Sequence, residues 1–203
     1  MNLKSPNLES SNKVGLVIRS TGSWYDVRTG GGHILQCRLK GKFKIANLKV
    51  TNPIAVGDKV LYEIEDEIEN TGIIFEILER ENYIIRQSVH KAVHGHILAA
   101  NIDQAILIVT LAMPRTSLGF MDRFLVTAEA FRIPTVLIFN KLDILSDEGI
   151  EIQRTLSTLY ESLGYACFFT SAEQKIGIED FSNLLKNKVS LLAGHSGVAN
   201  LRS

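Results

Sequence analysis

The chain has 203 residues, 45% of them hydrophobic and 22% charged, which suffices for one large core or two modest ones. Its 22 basic and 22 acidic side chains balance to a formal net charge of zero, which taken alone argues against a nucleic-acid partner. No apolar run approaches the roughly 20 residues that cross a bilayer, and the N-terminus carries no cationic leader, so a soluble, cytoplasmic protein with no membrane partner is expected.

The zero is an average over an uneven chain. Residues 1–59 hold ten Lys and Arg against the three acids Glu9, Asp26 and Asp58, whereas residues 60–79 hold seven acids and no base. Cys37 and Cys167 stand far apart and form no C-x-x-C, so buried free thiols are expected rather than a disulfide framework or a zinc site.

In chain order, five short apolar runs come first: Val14 to Ser20, Trp24 to Arg28, His33 to Leu39, Gly57 to Ile64 and Gly72 to Leu78. Turn residues separate them and no helical period intervenes, which predicts a small all-β, OB-like barrel over residues 1–80. Residues 81–102, with three histidines and several polar residues, read as a linker.

From residue 103 to 203 the pattern becomes α/β. Apolar strands are expected at Gln104 to Leu111, Thr135 to Phe139, Ala166 to Thr170 and Val189 to Ala193. Helices are expected at Met121 to Phe131, Asp147 to Leu163 and Ile178 to Lys186, the second stopped by Gly164. Strands apolar throughout belong in a sheet covered on both faces, so the alternation predicts a parallel, doubly wound sheet.

The most informative residues, Asn140-Lys141-Leu142-Asp143, follow directly on an apolar strand, at the carboxyl end where open α/β sheets bind ligands. A carboxylate at Asp143 can accept from both N1–H and the exocyclic amine of guanine, a donor pair that adenine lacks. Adenine would leave that carboxylate unpaired, and this is the basis of selection. Asn140 is expected to hold the loop and reach the N7/O6 edge, and the Lys141 stem to lie over the base. Ser171-Ala172 follow the next strand, where a backbone N–H can donate to O6 and a small side chain lets the base approach.

After the last strand comes Gly194-His195-Ser196-Gly197-Val198, the opening of a phosphate loop. The full pattern G-x-x-x-x-G-K-[ST] lets glycine amides converge on phosphate while Lys neutralises charge and a hydroxyl ligates Mg²⁺. Here Ala199, Asn200 and Leu201 stand where Gly, Lys and Ser/Thr are required. No D-x-x-G follows before residue 203.

The base motifs precede the phosphate loop, the reverse of the usual GTPase order. The chain thereby resembles the circularly permuted ribosome small-subunit-dependent GTPase A family. The resemblance extends to Thr21 to Tyr25, Asn52 to Asp58, Ala100 to Gln104, Met121 to Leu125 and Gly194 to Val198. It implies an OB domain contacting ribosomal RNA, a partial, circularly permuted P-loop GTPase-type sheet, GTP or GDP as ligand, Mg²⁺ in complete members, and a C-terminal zinc domain that is absent here. It also implies the small ribosomal subunit as partner and a monomeric protein. The family's topology makes the four strands neighbours, with the phosphate-loop strand an exposed apolar edge and a source of poor solubility.

Arg19, Arg28, Arg38, Lys40, Lys42 and Lys44 are the candidate RNA contacts, with Trp24, Tyr25 and Phe43 as stacking faces. His90, His94 and His96 lack a Cys or carboxylate at ligand spacing, so no metal site is assigned. Ser117, Ser171 and Ser196 lack His/Asp partners, and no residue is given a catalytic role. Three readings stay open: a GTP hydrolase incomplete in this form, a non-catalytic module binding rRNA and guanine nucleotide, and an unrelated α/β protein with a chance N-K-x-D.

Overall fold

A computed structural model describes residues 13–40, 53–87 and 95–198, which fall into two compact units divided between Asn101 and Ile102. Lys42, Phe43, Lys44, His90 and His94 lie outside the described residues.

The first unit is built on a two-residue period. β1 (Lys13–Ser20), β2 (Tyr25–Thr29), β3 (Ile34–Leu39), β4 (Lys59–Asp66) and β5 (Thr71–Ile77) close into a barrel in the order β1-β2-β3-β5-β4. Along β2, Tyr25 and Val27 are buried while Arg28 is exposed; along β3, Leu35 and Cys37 are buried while Gln36 and Arg38 are exposed. The inward residues of all five strands, joined by Ile54, make one core. β3 and β5 pair in parallel and the other neighbours antiparallel, with an irregularity in β1 between Val17 and Arg19 that helps the sheet curl. The expected OB-like barrel is therefore present.

Two features outside the core fasten the barrel. Asp58 is 0% exposed, and its carboxylate accepts from Nε and Nη2 of Arg80, each at 2.7 Å, and from the Ala55 amide at 2.8 Å. Arg80 Nη2 also donates to the Pro53 carbonyl at 2.7 Å, so the forked guanidinium joins the loop before β4 to the chain leaving β5. Beside it, Gly57 has φ +94°, and a Cβ there would stand 1.9 Å from the Ala100 carbonyl oxygen, so only glycine permits this approach.

Residues 81–102 are not the linker that their polarity suggests. β6 (Tyr83–Gln87) and β7 (Gly95–Ala100) form an antiparallel pair within the first unit. The Ala100 amide donates to the Val56 carbonyl at 2.9 Å, and Asn101 Nδ2 donates to the Gly57 carbonyl at 2.8 Å. Among the described residues it is Asn101, together with the Ala100 backbone, that ties the hairpin to the barrel.

The second unit is a parallel sheet of β8 (Gln104–Val109), β9 (Thr135–Phe139), β10 (Ala166–Phe169) and β11 (Ser190–Gly194), in the order β10-β9-β8-β11. The central β9 is buried at every position, as a strand covered on both faces must be. Helices α1 (Leu118–Ala130) and α2 (Asp147–Ser162) pack Met121, Leu125 and Tyr160 on Leu107, Val109, Leu137 and Phe139. α3 (Ile178–Leu185) places Phe181, Leu184 and Leu185 on Ile106, Val136 and Ile138 of the opposite face. Tyr160 donates to Asp122 at 2.9 Å, joining α2 to α1, and burial followed by this bond raises its phenol to about 12.

Both cysteines are free, and burial pushes the Cys37 thiol up to about 12 and the Cys167 thiol up to about 11. Neither supplies appreciable thiolate at neutral pH. Among the described residues no helix is long and apolar enough to cross a membrane, and no cluster of His, Cys, Asp and Glu could hold a metal ion.

Candidate functional site

The carboxyl ends of β9, β10 and β11 carry three loops, and one side chain joins them. Asn140, 7% exposed, directly follows β9; its Nδ2 donates to the Val198 carbonyl at 2.8 Å and its Oδ1 accepts from the Thr170 hydroxyl at 3.0 Å. The amide thus spans from the end of β10 to the loop after β11, and it is engaged at both ends in holding them.

Lys141 follows with φ 67°, a left-handed conformation that turns the chain sharply away from the strand. The Leu142 amide donates to the Thr170 carbonyl at 3.2 Å, starting a short 3₁₀ turn over Leu142–Ile144. Asp143 lies in that turn, partly exposed, and accepts a hydrogen bond from the Ser171 hydroxyl. Ser171 is fully buried; its Oγ accepts from the Gln174 amide at 3.1 Å and its own amide donates to the Ile176 carbonyl at 3.1 Å. Ser171 is therefore the post that fixes Asp143 in place, and Ala172 is the next residue on the cavity wall.

In the loop after β11, the Val198 amide donates to the His195 carbonyl at 3.2 Å, closing a turn over Ser196 and Gly197, the latter at φ +87°. A Cβ on Gly194 would stand 2.8 Å from the Ile108 carbonyl oxygen, so this position needs glycine for the strand to lie close to β8. The His195 imidazole lies on the Phe120 ring, centroids 4.1 Å apart, rather than standing alone as a polar loop residue.

Asn140, Thr170, Ala172, Gly194, His195 and Gly197 border one cavity of about 510 Å³, whose apolar floor includes Ile108, Ile138 and Phe181. That volume is in the range of small-molecule sites. The structure thus brings the N-K-x-D turn, Ser171-Ala172 and the Gly194 to Val198 loop to one end of one sheet. Thr170, Met113 and Phe120 also belong to this end and were not singled out by sequence. Their only signal was position after a strand or around Pro114, with no motif to mark them.

On the barrel, Arg19 donates to Asp26 at 2.7 Å and Arg38 is ion-paired with Glu65, while Arg28 and Lys40 are exposed. Two of the four described candidate RNA contacts thus carry an acidic neighbour.

The RsgA N-terminal domain model matches residues 14–74 and the RsgA GTPase model matches residues 77–200. The chain is 50% identical over 184 residues to the small ribosomal subunit biogenesis GTPase RsgA of Cytophaga hutchinsonii, covering 91% of this chain and 60% of that protein. It is 46% identical to the protein of the same name from Bacteroides fragilis, with 91% and 59% covered. The chain therefore spans about 60% of the length of these curated relatives. Among solved structures it is similar to YjeQ from Thermotoga maritima, with TM-score 0.75 and 37% identity over 92% of this chain and 62% of that one. It is also similar to YloQ, described as a circularly permuted GTPase, with TM-score 0.73 and 26% identity over 96% and 64%. With both models in this order along one chain, and the GTPase model alone covering more than half of it, the chain belongs to the RsgA GTPase family.

Proposed function

We propose that the second unit binds a guanine nucleotide at the carboxyl ends of β9, β10 and β11, and that the chain is part of a cytoplasmic, monomeric factor acting on the small ribosomal subunit. The observation that carries this reading is the Asn140 amide, which holds the base turn, the end of β10 and the Gly194 to Val198 loop in one arrangement. Within that frame Asp143 reads the N1–H and amine of guanine, and Ser171 keeps its carboxylate oriented. Because the Ser171 amide is already engaged with Ile176, the donor to O6 falls to Ala172. Amides of the loop between Gly194 and Val198 meet the phosphates, the Val198 amide itself being held by the His195 carbonyl.

The relatives are named GTPases, and hydrolysis in such proteins draws on a loop lysine and a hydroxyl-held Mg²⁺. Asn200 carries no charge and the Leu201 side chain has no hydroxyl, so the side chains at these positions do not supply what holds a magnesium ion in such a loop, and no step is derived through one. For this chain the identity of those two residues favours binding without turnover.

Titration of the chain with labelled GDP and ATP tests the reading. GDP is expected to bind at least tenfold more tightly than ATP, with no GTP turnover whether or not small ribosomal subunits are added; equal affinities defeat the guanine assignment.

The barrel is the proposed RNA face, through Arg19, Arg28, Arg38 and Lys40, with Lys42 and Lys44 beyond the described residues. The exposed pairs Arg19–Asp26 and Arg38–Glu65 are each worth only about 0.2–1 kcal/mol, so phosphate can displace the acid. If these four cations each meet one phosphate of a single strand, affinity should fall about sevenfold for each doubling of salt. Filter binding to small-subunit RNA that is flat with salt would remove the barrel from this role.

A further inference from the structure

We infer that the loop joining β8 to α1, closed by Thr110 and Thr116, is a positioning element of the nucleotide site that fixes Lys141. The inference rests on the reading above that this end of the sheet takes a guanine nucleotide.

Thr110 and Thr116 are 1% and 2% exposed, and they close the loop on itself. The Thr116 amide donates to the Thr110 carbonyl at 2.8 Å, and the Thr110 amide donates to the Thr116 hydroxyl oxygen at 3.1 Å. The Thr110 hydroxyl donates to the Pro114 carbonyl. With its inner polar groups joined in this way, a connection without regular structure becomes a firm arch. Its apex presents the Met113 carbonyl, which accepts from the Lys141 ammonium at 2.7 Å.

Lys141 is therefore held at both ends. Its backbone is set in the left-handed turn by the Leu142 to Thr170 bond, and its ammonium is set by the arch. The four methylenes stretched between form an apolar strip, the shape that a planar base stacks against. A free lysine would lose much side-chain entropy on being ordered by a ligand, and anchoring at Met113 removes that loss beforehand.

A plain structural role would lower stability without singling out Lys141, so the test is a double-mutant cycle on the 203-residue chain. Thr116→Val, which keeps the shape and removes the hydroxyl, is expected to weaken both GDP and guanosine about fivefold, and Thr116→Ser to restore them. Lys141→Met, which keeps a stem and removes the ammonium, should weaken both ligands to the same extent. Combining it with Thr116→Val should add less than a further twofold, because both act through one anchor. Fully multiplicative losses, or an unchanged GDP affinity in Lys141→Met, overturn the proposal while leaving the guanine reading intact. Should Thr116→Val fail to fold, Lys141→Met decides alone. If the unaltered chain binds neither GDP nor guanosine, the guanine reading falls first and this inference with it.

Discussion

Asp143→Asn is expected to lower GDP affinity by two to three orders of magnitude and to give the site a preference for xanthosine diphosphate. Each hydrogen bond from the base to an ionised carboxylate contributes about 1.5–3 kcal/mol, and an amide group can keep at most one of the two acceptor roles. Its NH₂ then faces the guanine amine, donor against donor, whereas the 2-oxo group of xanthine accepts from it. The turn itself should survive, because the Ser171 hydroxyl that donates to Asp143 can donate to an amide oxygen or accept from an amide nitrogen equally well. Titrating the variant with both diphosphates decides the matter. GDP affinity within threefold of the unaltered chain would show that the carboxylate does not read the base.

The second large effect lies in the barrel. Asp58→Ala should destabilise the first unit by about 3–5 kcal/mol, because it strands the nearly buried Arg80 guanidinium and leaves the Ala55 amide without its acceptor. A domain of this size has only about 5–15 kcal/mol in hand, so a fifth or more of its stability is at stake. The chain contains a single tryptophan, Trp24, in the barrel, and its emission reports this unit separately from the sheet. The urea midpoint read from Trp24 should fall by about 2 M, given slopes of about 1–3 kcal/mol per molar. A shift below about 0.5 M would mean that the forked pair contributes little beyond its solvation.

Both units were legible in outline because of how their strands are spaced. Turn residues between five short runs, with no helical period, marked the barrel, and continuous apolar runs marked β8 and β9 as covered on both sides. The ends were less legible. α1 begins at Leu118 rather than Met121 because Ser117 caps it, accepting from the Phe120 amide at 3.3 Å, a use of that serine which a search for nucleophiles passes over. The hairpin was missed because its value depends on partners distant in sequence: Asn101 meets Gly57 across 44 positions.

The site divides in the same way. Asn140, Asp143 and Ser171 stand in short motifs whose order along the chain carried the family resemblance. Thr170, Met113 and Thr116 carry no motif, and their importance appears only when folding sets them beside Asn140, Lys141 and Thr110. A residue that acts by holding another has no sequence signature of its own. Arg80 is a similar case, since nothing local to it announces Asp58.

Closure of the barrel leaves its five strands with no free border, whereas among the described residues β11 pairs only with β8 and Leu192 on it is 52% exposed. The two halves therefore differ in how their backbones meet solvent deuterium. Amides in the barrel ladders can exchange only when the ring opens, while half of those on the outer strand of the sheet point away from any ladder and exchange without unfolding.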